Sequence, residues 1–341
     1  MKLPAMRLPE LKLPNKLLQF KPIEFVPHGT KFTFVSHYKL ALIETIVLAI
    51  LTVVLLATAG LNFGVDFRGG MMMEIRTKDG PADIRALRSK VGALNLGEVQ
   101  IQLVSSTVRE FGAPNEVLIR TEAQPGGEAA QQVMVAKVQK ALGDRIEIRR
   151  VEVVGATVSA ELITSAIYAL ALSSLGIFIY IWFRFEWQFS VSAIIALVHD
   201  VAMTVCLFSI LQIEFDLTIV AALLTLIGYA VNDTVVTFDR VRENLRKYKK
   251  MPLDQLIDLS VNETLSRTAM TAGAVLLTLL ALFFFGGPVI RGFMVAMLFG
   301  MLVSSYTSMF VAAPLLYVIG VHRDWGPESA ASAKAPAPRR A

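Results

Sequence analysis

Six long apolar segments constrain this chain more than any other feature of its sequence. A helix needs about 20 mostly apolar residues to cross a bilayer. Six segments meet this requirement, at residues 40–60, 162–183, 189–211, 217–238, 267–286 and 293–320. The last contains Pro314, which predicts a kink or an early end because proline cannot donate a backbone hydrogen bond. The sequence therefore predicts an α-helical polytopic membrane protein with six transmembrane helices.

Basic residues are distributed unevenly between the two ends of these predicted helices. Residues 1–39 hold seven Lys and Arg, the loop at 240–263 holds six and the tail after Gly320 holds four, whereas the loop at 211–216 has none. Cytoplasmic loops are enriched in Lys and Arg. We therefore expect both termini to be cytoplasmic and residues 61–160 to lie on the other side of the membrane.

The long segment between the first two predicted helices, residues 61–160, has the pattern of a small folded domain. Helical patterns begin at Gly80-Pro81 and at Gly126, and strand-like runs lie at 71–75, 98–104, 116–121 and 145–154. The resulting order β-α-β-β-α-β is that of a ferredoxin-like fold. We therefore predict one α+β ferredoxin-like (βαββαβ) domain between transmembrane helices 1 and 2.

Both ends of the chain differ in composition from the membrane segments. Residues 1–39 form a basic, Pro-containing tail in which a basic residue precedes Leu-Pro three times, a pattern that disfavours a helix. We interpret it as a flexible tail, with contact to anionic lipids as the alternative. Residues 321–341 are rich in Ala, Pro and Ser and are predicted to be disordered. Residues 1–39 alone contribute +5 (seven Lys/Arg, two Glu), equal to the net charge of the chain, so this charge does not indicate nucleic-acid binding.

Three ionisable residues inside the predicted transmembrane segments stand out. Asp200 is near the middle of the third segment, Asp233 lies in the fourth and Arg267 begins the fifth. Such groups are costly in a bilayer and mark functional sites by default. A carboxylate in this setting is neutral alone and ionised beside an arginine. We therefore predict that Asp233 and Arg267, with Asp200 as a further candidate, form a proton relay.

The neighbours of Asp233 are hydrogen-bonding residues that can support such a relay. Thr237 follows Asp233 by one helical turn, and Asn232 directly precedes it. The alternative for Asp233 and Arg267 is a static ion pair that joins two helices.

The remaining candidates in the spans have packing roles as alternatives. His199 and Asp200 are either a hydrogen-bonded packing pair or part of the relay. Gly228 is expected to allow close approach of another helix. No metal site is predicted, because the other histidines lie outside the six segments.

The sequence lacks the motifs of two enzyme classes. No Gly-x-x-x-x-Gly-Lys-Ser/Thr loop is present, so ATP hydrolysis by this chain is not expected. Two Asp on adjacent spans loosely match an intramembrane aspartyl protease, but the Gly-x-Gly-Asp run of that family is replaced by Ala230-Val231-Asn232-Asp233. A single Cys, Cys206, excludes a disulfide framework. We therefore expect a protein that is not an enzyme, has no cofactor, and draws energy from an ion gradient or from a partner.

Five motifs extend over most of the chain. They are Asp66-Phe67-Arg68-Gly69-Gly70, Val198-His199-Asp200, the run from Gly228 through Asn232-Asp233 to Asn244, Leu265-Ser266-Arg267-Thr268, and Phe285-Gly286-Gly287. Together they resemble SecF, the family of accessory subunits of the bacterial Sec protein-export machinery. The resemblance covers about residues 30–320 and leaves out both tails.

This resemblance implies a function and a set of partners. SecF is similar to one half of an RND-type transporter, here with helices 2–6 in residues 161–320, and SecD supplies the other half. Asp233 and Arg267 match family positions implicated in proton conduction. In the family, the complex lies in the bacterial inner membrane with its domain in the periplasm. It uses the proton-motive force to promote preprotein translocation through SecYEG after SecA has acted, with YajC and YidC as further partners.

The Asp66 motif directly follows the first predicted helix. Gly69 and Gly70 permit tight bends of the backbone where the helix and the domain meet. Asp66 and Arg68 are expected to belong to a hinge without ligand contacts.

Two alternative functions stay open at this stage. The chain could be a scaffold that stabilises a transporter partner and carries no protons. It could also be an RND-like exporter of lipids or small molecules, although six spans and one domain argue against this because such exporters usually have twelve spans.

Overall fold

The structure is a computed structural model that describes residues 27, 30–78, 80–94, 96–97, 99–103, 115–122, 127–143, 145–287 and 290–321. The interpretations of the Leu-Pro repeat and of the C-terminal tail concern residues outside these ranges. In chain order the elements are α1 (Tyr38–Thr58), β1 (Asn62–Phe63), α2 (Val65–Arg68), β2 (Gly70–Thr77), α3 (Ile84–Gly92), β3 (Val99–Leu103), β4 (Glu116–Thr121), α4 (Gly127–Leu142), β5 (Ile146–Val154), α5 (Ala156–Arg184), α6 (Trp187–Leu211), β6 (Glu214–Phe215), α7 (Leu217–Lys247), α8 (Leu253–Phe285), α9 (Arg291–Thr307) and α10 (Ala313–Ile319).

Six helices in the described ranges are long and apolar enough to cross a membrane. Five of them are α1, α5, α6, α7 and α8, and the sixth combines α9 and α10. The prediction of a helical membrane protein with six transmembrane helices is therefore confirmed.

Two of the long helices extend beyond the apolar segments that predicted them. α7 continues to Lys247, and α8 begins at Leu253 rather than at Arg267. The predicted loop at 240–263 is therefore reduced to residues 248–252, and Arg267 lies inside α8 instead of at its start. The added turns are amphipathic, with buried positions at helical spacing, so a count of apolar residues does not detect them.

The last membrane helix changes its winding shortly before Pro314. A π-helical turn at Ser308–Ala312 separates α9 from α10, and Pro314 is the second residue of α10. Because proline cannot donate to the preceding turn, a local change in winding accommodates it without ending the helix.

The segment between α1 and α5 folds as a four-stranded antiparallel sheet with two helices. The strand order is β3-β4-β2-β5, which is the interleaved arrangement of a ferredoxin-like fold. Its core consists of buried aliphatic and methionine side chains, among them Met71, Met73, Ile75, Val91, Val117, Ile119 and Val138. The prediction of a βαββαβ domain is confirmed.

The first helix of this domain begins later than its sequence pattern indicated. α3 begins at Ile84, so Pro81 lies before the helix and not in its first turn. The Asp83 carboxylate accepts hydrogen bonds from the backbone nitrogens of Arg85 (2.9 Å) and Ala86 (3.1 Å). This N-cap sets the helix start because it satisfies donors that have no partner within the helix.

Close packing between α7 and α9 depends on a glycine that the sequence analysis did not single out. A Cβ atom added at Gly300 would lie 2.4 Å from the Leu226 side chain. Leu226 is 1 % exposed and belongs to the core between α7, α8 and α9. Gly300 therefore fixes the position of α7 against α9.

A short joint connects the α+β domain to the membrane helices. β1 pairs in parallel with β6, which lies in the connection between α6 and α7. The Gly64 backbone nitrogen donates to the Phe215 oxygen (2.9 Å). The Asp66 carboxylate accepts a hydrogen bond from the backbone nitrogen of Leu217 (2.9 Å), the first residue of α7. Asp66 therefore caps a membrane helix as well as belonging to the joint.

The two glycines of the motif have backbone conformations that favour glycine. Gly69 and Gly70 are buried and have φ values of +73° and +114°, which L-residues with a Cβ rarely adopt. Arg68, by contrast, is exposed and lines a cavity of about 250 Å³ between the joint and β4.

Charged residues link the domain to the connection between α6 and α7. Arg120 of β4 forms an ion pair with Glu214 of β6, and Arg150 pairs with Glu152 on β5. Burial raises the pKa of Glu214 above its ordinary value although Arg120 opposes this effect. Burial likewise raises the pKa of Glu152. The joint therefore holds two carboxyl groups that take up a proton more readily than exposed ones.

Replacing Gly70 with alanine is expected to destabilise the joint. An L-residue forced into this conformation costs about 1–3 kcal/mol, which would lower the free energy of unfolding of the purified chain. G92A is a matched control, because Gly92 ends α3 with open space around an added Cβ. G92A should be neutral or stabilise by up to about 1 kcal/mol. Equal stability of G70A and wild type would contradict the assigned conformation.

The attachment of β1 to β6 should depend on pH through Glu214. Because its pKa is higher in the attached state, attachment binds a proton between the ordinary and the raised pKa. Attachment is therefore favoured as pH falls through this window and weakened as pH rises through it. The Gly64 amide donates to Phe215 across the pairing, so its hydrogen-exchange rate, corrected for intrinsic rates, measures how often β1 detaches from β6. E214Q should reduce this pH dependence. E116Q, which changes an acid of β4 away from the β1–β6 pairing, should leave it unchanged.

Candidate functional site within the membrane helices

Asp233 is a buried residue with a carboxyl group in the middle of α7. It is 3 % exposed, and its Oδ2 atom has no hydrogen bond within the described part of the chain. Leaving a polar group buried and unpaired costs about 1–3 kcal/mol in proteins, and more for a charge. The α7 position is set by packing against α8 and α9. The fold therefore holds this acid where an ionised carboxylate is unfavourable.

Arg267 of α8 is the candidate partner of Asp233, but the two side chains do not form an ion pair. Its charge acts on the Asp233 carboxylate. No ion pair between the two side chains is found among the described residues. Arg267 is exposed on the surface of this chain. The static ion pair considered from the sequence is therefore not formed in this structure.

Two hydroxyl residues lie one turn from Asp233 on either side. Thr237 is 2 % exposed and follows Asp233 on the same face of α7. Tyr229 precedes it, and its buried hydroxyl also has no hydrogen bond of ordinary length within the described ranges. The sequence favours a helix-packing role for Tyr229, as for Gly228, although its spacing of four residues from Asp233 also places it next to the candidate site.

Asn232 and Gly228 point away from this buried site. Both are exposed on the outer face of α7. A Cβ added at Gly228 would have no heavy atom within 4 Å. None of the described helices makes the close packing that was predicted at Gly228, because this face of α7 is not covered by them.

A network of charged and polar groups joins α7 and α8 beyond Thr237. Glu263 accepts hydrogen bonds from Arg240 Nε (2.7 Å) and Asn244 Nδ2 (2.7 Å), and Asn244 also donates to Ser260 (3.0 Å). Arg240 is thereby held by Glu263 and Glu243 (2.6 Å). It is therefore turned toward α8 and is not a direct partner of Asp233.

His199 and Asp200 belong to a separate cluster. His199 Nε2 lies 3.2 Å from Glu44 Oε1 on α1, and His199 Nδ1 lies 3.1 Å from Thr307 Oγ1 on α9. The distance from His199 Nδ1 to Asp200 Oδ1 is 3.6 Å, too long for a hydrogen bond. No contact between Asp200 and Asp233 is recorded within the described part, so no carboxylate dyad of the aspartyl-protease kind is formed there. The sequence analysis missed Glu44, an acid inside the first apolar segment.

The motifs in this arrangement match known family models. A model described as "Protein export membrane protein SecD/SecF, C-terminal" matches residues 134–322, and one described as "SecD/SecF GG Motif" matches residues 54–80. The second range contains the Asp66 motif of the joint, and the first contains Asp200, Asp233 and Arg267.

Curated relatives are similar over nearly the whole chain. "Protein translocase subunit SecF" of Rhodobacter capsulatus is 45 % identical over 314 residues, which cover 88 % of this chain and 92 % of that protein. The SecF of Magnetococcus marinus is 43 % identical over 85 % of this chain and 92 % of that protein.

A solved structure has the same fold. The crystal structure of SecDF, described as a translocon-associated membrane protein from Thermus thermophilus, matches with a TM-score of 0.74 and 31 % identity, over 85 % of this chain. This chain spans 39 % of that longer chain. The family matches, the curated relatives and this fold together confirm the resemblance found in the motifs. The chain therefore belongs to the SecD/SecF family of protein-export membrane proteins.

Proposed function

We propose that this chain is the SecF subunit of a SecD–SecF complex that uses the proton-motive force to promote preprotein translocation through SecYEG. This proposal rests on Asp233, a buried acid whose Oδ2 atom has no hydrogen bond to any described residue. The charge of Arg267 acts on it, although the two side chains do not form an ion pair. An acid in this position can bind a proton when Arg267 is distant and release it when Arg267 approaches.

The energetics favour such an exchange over a fixed charge. A carboxylate that is buried without a partner is stable in its neutral form, and a nearby arginine stabilises the ionised form. Movement of α8 relative to α7 would alternate these two conditions. One charge that crosses a potential of about 100 mV supplies about 2.3 kcal/mol. A few protons would therefore be enough to drive a change between two arrangements of the helices.

An uncovered polar face on α7 and α8 supports completion of the site by a partner. Small and polar residues recur at helical spacing on the outer faces of both helices, at Ala221, Thr225, Gly228 and Asn232 on α7 and at Arg267, Thr271, Ala274 and Thr278 on α8. Such faces allow close packing of helices within a bilayer. An exposed arginine in contact with lipid tails is costly, so Arg267 is better accommodated against protein than against lipid.

SecD is the partner that we assign to this face. Transporter sites are commonly formed between two repeats, and the described part of this chain contains one set of six spans. The SecDF chain of Thermus thermophilus is similar to this chain over 39 % of its own length, which leaves room for the second half. SecYEG, YajC, YidC, preproteins and, indirectly, SecA remain partners that the resemblance implies.

The charge distribution supports a bacterial inner-membrane location with both termini in the cytoplasm. The helix ends opposite the α+β domain carry basic residues, namely Arg184, Arg240, Arg242, Arg246 and Lys247, whereas the connection next to the domain carries Glu214 and Asp216. By the positive-inside rule, the basic end faces the cytoplasm and the domain at residues 61–160 faces the periplasm.

D233N should abolish the part of export that depends on a proton gradient. Asparagine has a similar shape but cannot exchange a proton, so export should fall to the level measured without a gradient. The test uses proteoliposomes that contain SecYEG, SecA and the SecD partner, with and without the gradient. R267M should behave in the same way. D239N is the matched control, since Asp239 is an exposed acid on the same helix that pairs with Arg184.

Co-purification with the partner separates this proposal from a scaffold role. The proposal requires D233N to assemble normally while it loses gradient-dependent export. A scaffold would lose export only in variants that fail to assemble. Full gradient-dependent export by an assembled D233N complex would contradict the relay.

A further inference from the structure

A second cluster of buried polar groups lies where α1, α6 and α9 meet. It contains Glu44 of α1, His199 and Asp200 of α6, and Thr307 of α9. The proton site proposed at Asp233 does not use these residues. The side chain of His199 is 0 % exposed, that of Asp200 is 4 % exposed and that of Glu44 is 35 % exposed. Glu44 is therefore the member of the cluster that reaches the surface of the bundle.

The hydrogen bonds of Thr307 indicate which nitrogen of His199 carries a proton. Thr307 Oγ1 donates its hydrogen to the backbone oxygen of Val303 (2.9 Å). A hydroxyl has one hydrogen to donate, so with that hydrogen on Val303 the Thr307 oxygen accepts from His199 Nδ1 at 3.1 Å. On this side of the ring Asp200 Oδ1, at 3.6 Å, is a further acceptor when ionised. We therefore assign the ring proton to Nδ1.

The contact between His199 and Glu44 then requires one further proton. His199 Nε2 and Glu44 Oε1 are 3.2 Å apart. A neutral imidazole with a proton on Nδ1 has a lone pair on Nε2, and a carboxylate has acceptors only. Two acceptors at this distance repel each other unless one of them is protonated. The pair therefore holds one proton, either as a neutral acid and imidazole or as a carboxylate and imidazolium.

Two further titratable groups lie next to this pair. Asp200 on α6 approaches the other ring nitrogen, and the Tyr306 hydroxyl on α9 lies 3.5 Å from Glu44 Oε2. Among the described residues, no further charged or titratable group of α1, α5, α7 or the π-helical turn is recorded in contact with His199 or Glu44. Glu44 is thus the acid at Nε2, and Asp200 is the acid on the Nδ1 side of the ring.

We propose that Glu44 and His199 form a second proton-binding site of this protein, separate from Asp233, which exchanges one proton through the Glu44 side of α1. On release, the bond from the proton to Glu44 Oε1 or to His199 Nε2 breaks, and the proton passes to water that reaches Glu44. The site is left with a carboxylate and a neutral imidazole, and the net charge of the pair changes by −1. Two facing acceptors then remain, which weakens the contact between α1 and α6.

Nitrogen-15 NMR of histidine-labelled full-length chain in lipid nanodiscs tests this proposal without export. The chain has four histidines, and the signals of His199 are assigned by their loss in H199N. We expect a protonated Nδ1 and a hydrogen-bonded Nε2 at low and neutral pH. As pH rises, Nε2 should change in one step to a nitrogen with a free lone pair.

E44Q is the decisive variant because glutamine keeps the shape and adds an N–H donor that can replace the shared proton. In E44Q, Nε2 should stay hydrogen-bonded at every pH and the step should be lost. E161Q, which changes an exposed acid on α5, should retain the wild-type step. D233N should retain it too, which separates this site from the proposed relay. A proton on Nε2 instead of Nδ1, a step that persists in E44Q or is lost in D233N, or no step at all in wild type would overturn the proposal.

Discussion

A polar group in the hydrocarbon of a membrane has no water to which it can bond, so its partners must come from the protein. Threonine hydroxyls bond to the carbonyl one turn earlier in their own helix, as Thr45 does to Ala41 (2.8 Å) and Thr52 to Leu48 (2.9 Å). Several buried polar atoms of the described helices do not follow this rule, among them Asp200 Oδ1, the Tyr229 hydroxyl and Asp233 Oδ2. Asp233 is the one of these three on which the charge of Arg267 acts. A buried acid without a partner has a cost, which a functional role can explain.

The same helix connects this buried acid to the α+β domain. α7 begins at Leu217, where Asp66 caps its first turn, and it continues past Asp233 to the network around Glu263. The domain is attached next to this start by the β1–β6 pairing and by Arg120 and Glu214. A displacement of α7 that accompanies protonation would therefore act directly on the joint. This connection gives a physical route from a proton in the membrane to a movement outside it.

The sequence predicted the elements of this fold better than it predicted their contacts. The six apolar segments and the alternating patterns at residues 71–154 were sufficient for the helices and the βαββαβ domain, because both patterns are local. The predicted end of α7 and the predicted start of α8 were wrong, because amphipathic turns continue both helices beyond the apolar run. One sequence does not show which face of a helix is covered by the rest of the chain. Within the described part, the close packing occurs at Gly300, whereas the predicted packing at Gly228 is left to a partner.

In the candidate site too, the sequence shows which residues are unusual in their own segment but does not show which distant residues they contact. Asp200, Asp233 and Arg267 could be selected because a charge within an apolar segment is visible in the sequence. Glu44 met the same criterion and was missed, and its contact with His199 joins residues 155 positions apart, which no local pattern predicts. The separation of Arg267 from Asp233 is likewise a tertiary feature that depends on how α7 and α8 pack.

In the proposed relay, Asp233 is protonated in this arrangement and releases its proton when Arg267 approaches. Infrared difference spectra of the complex in liposomes measure this directly, because a protonated carboxyl has a band that a carboxylate lacks. We predict a carboxyl band that is absent in D233N and present in D239N, and that disappears in wild type when a proton gradient is applied but remains in R267M. A band that does not depend on Asp233, or that disappears equally in R267M, would contradict the account.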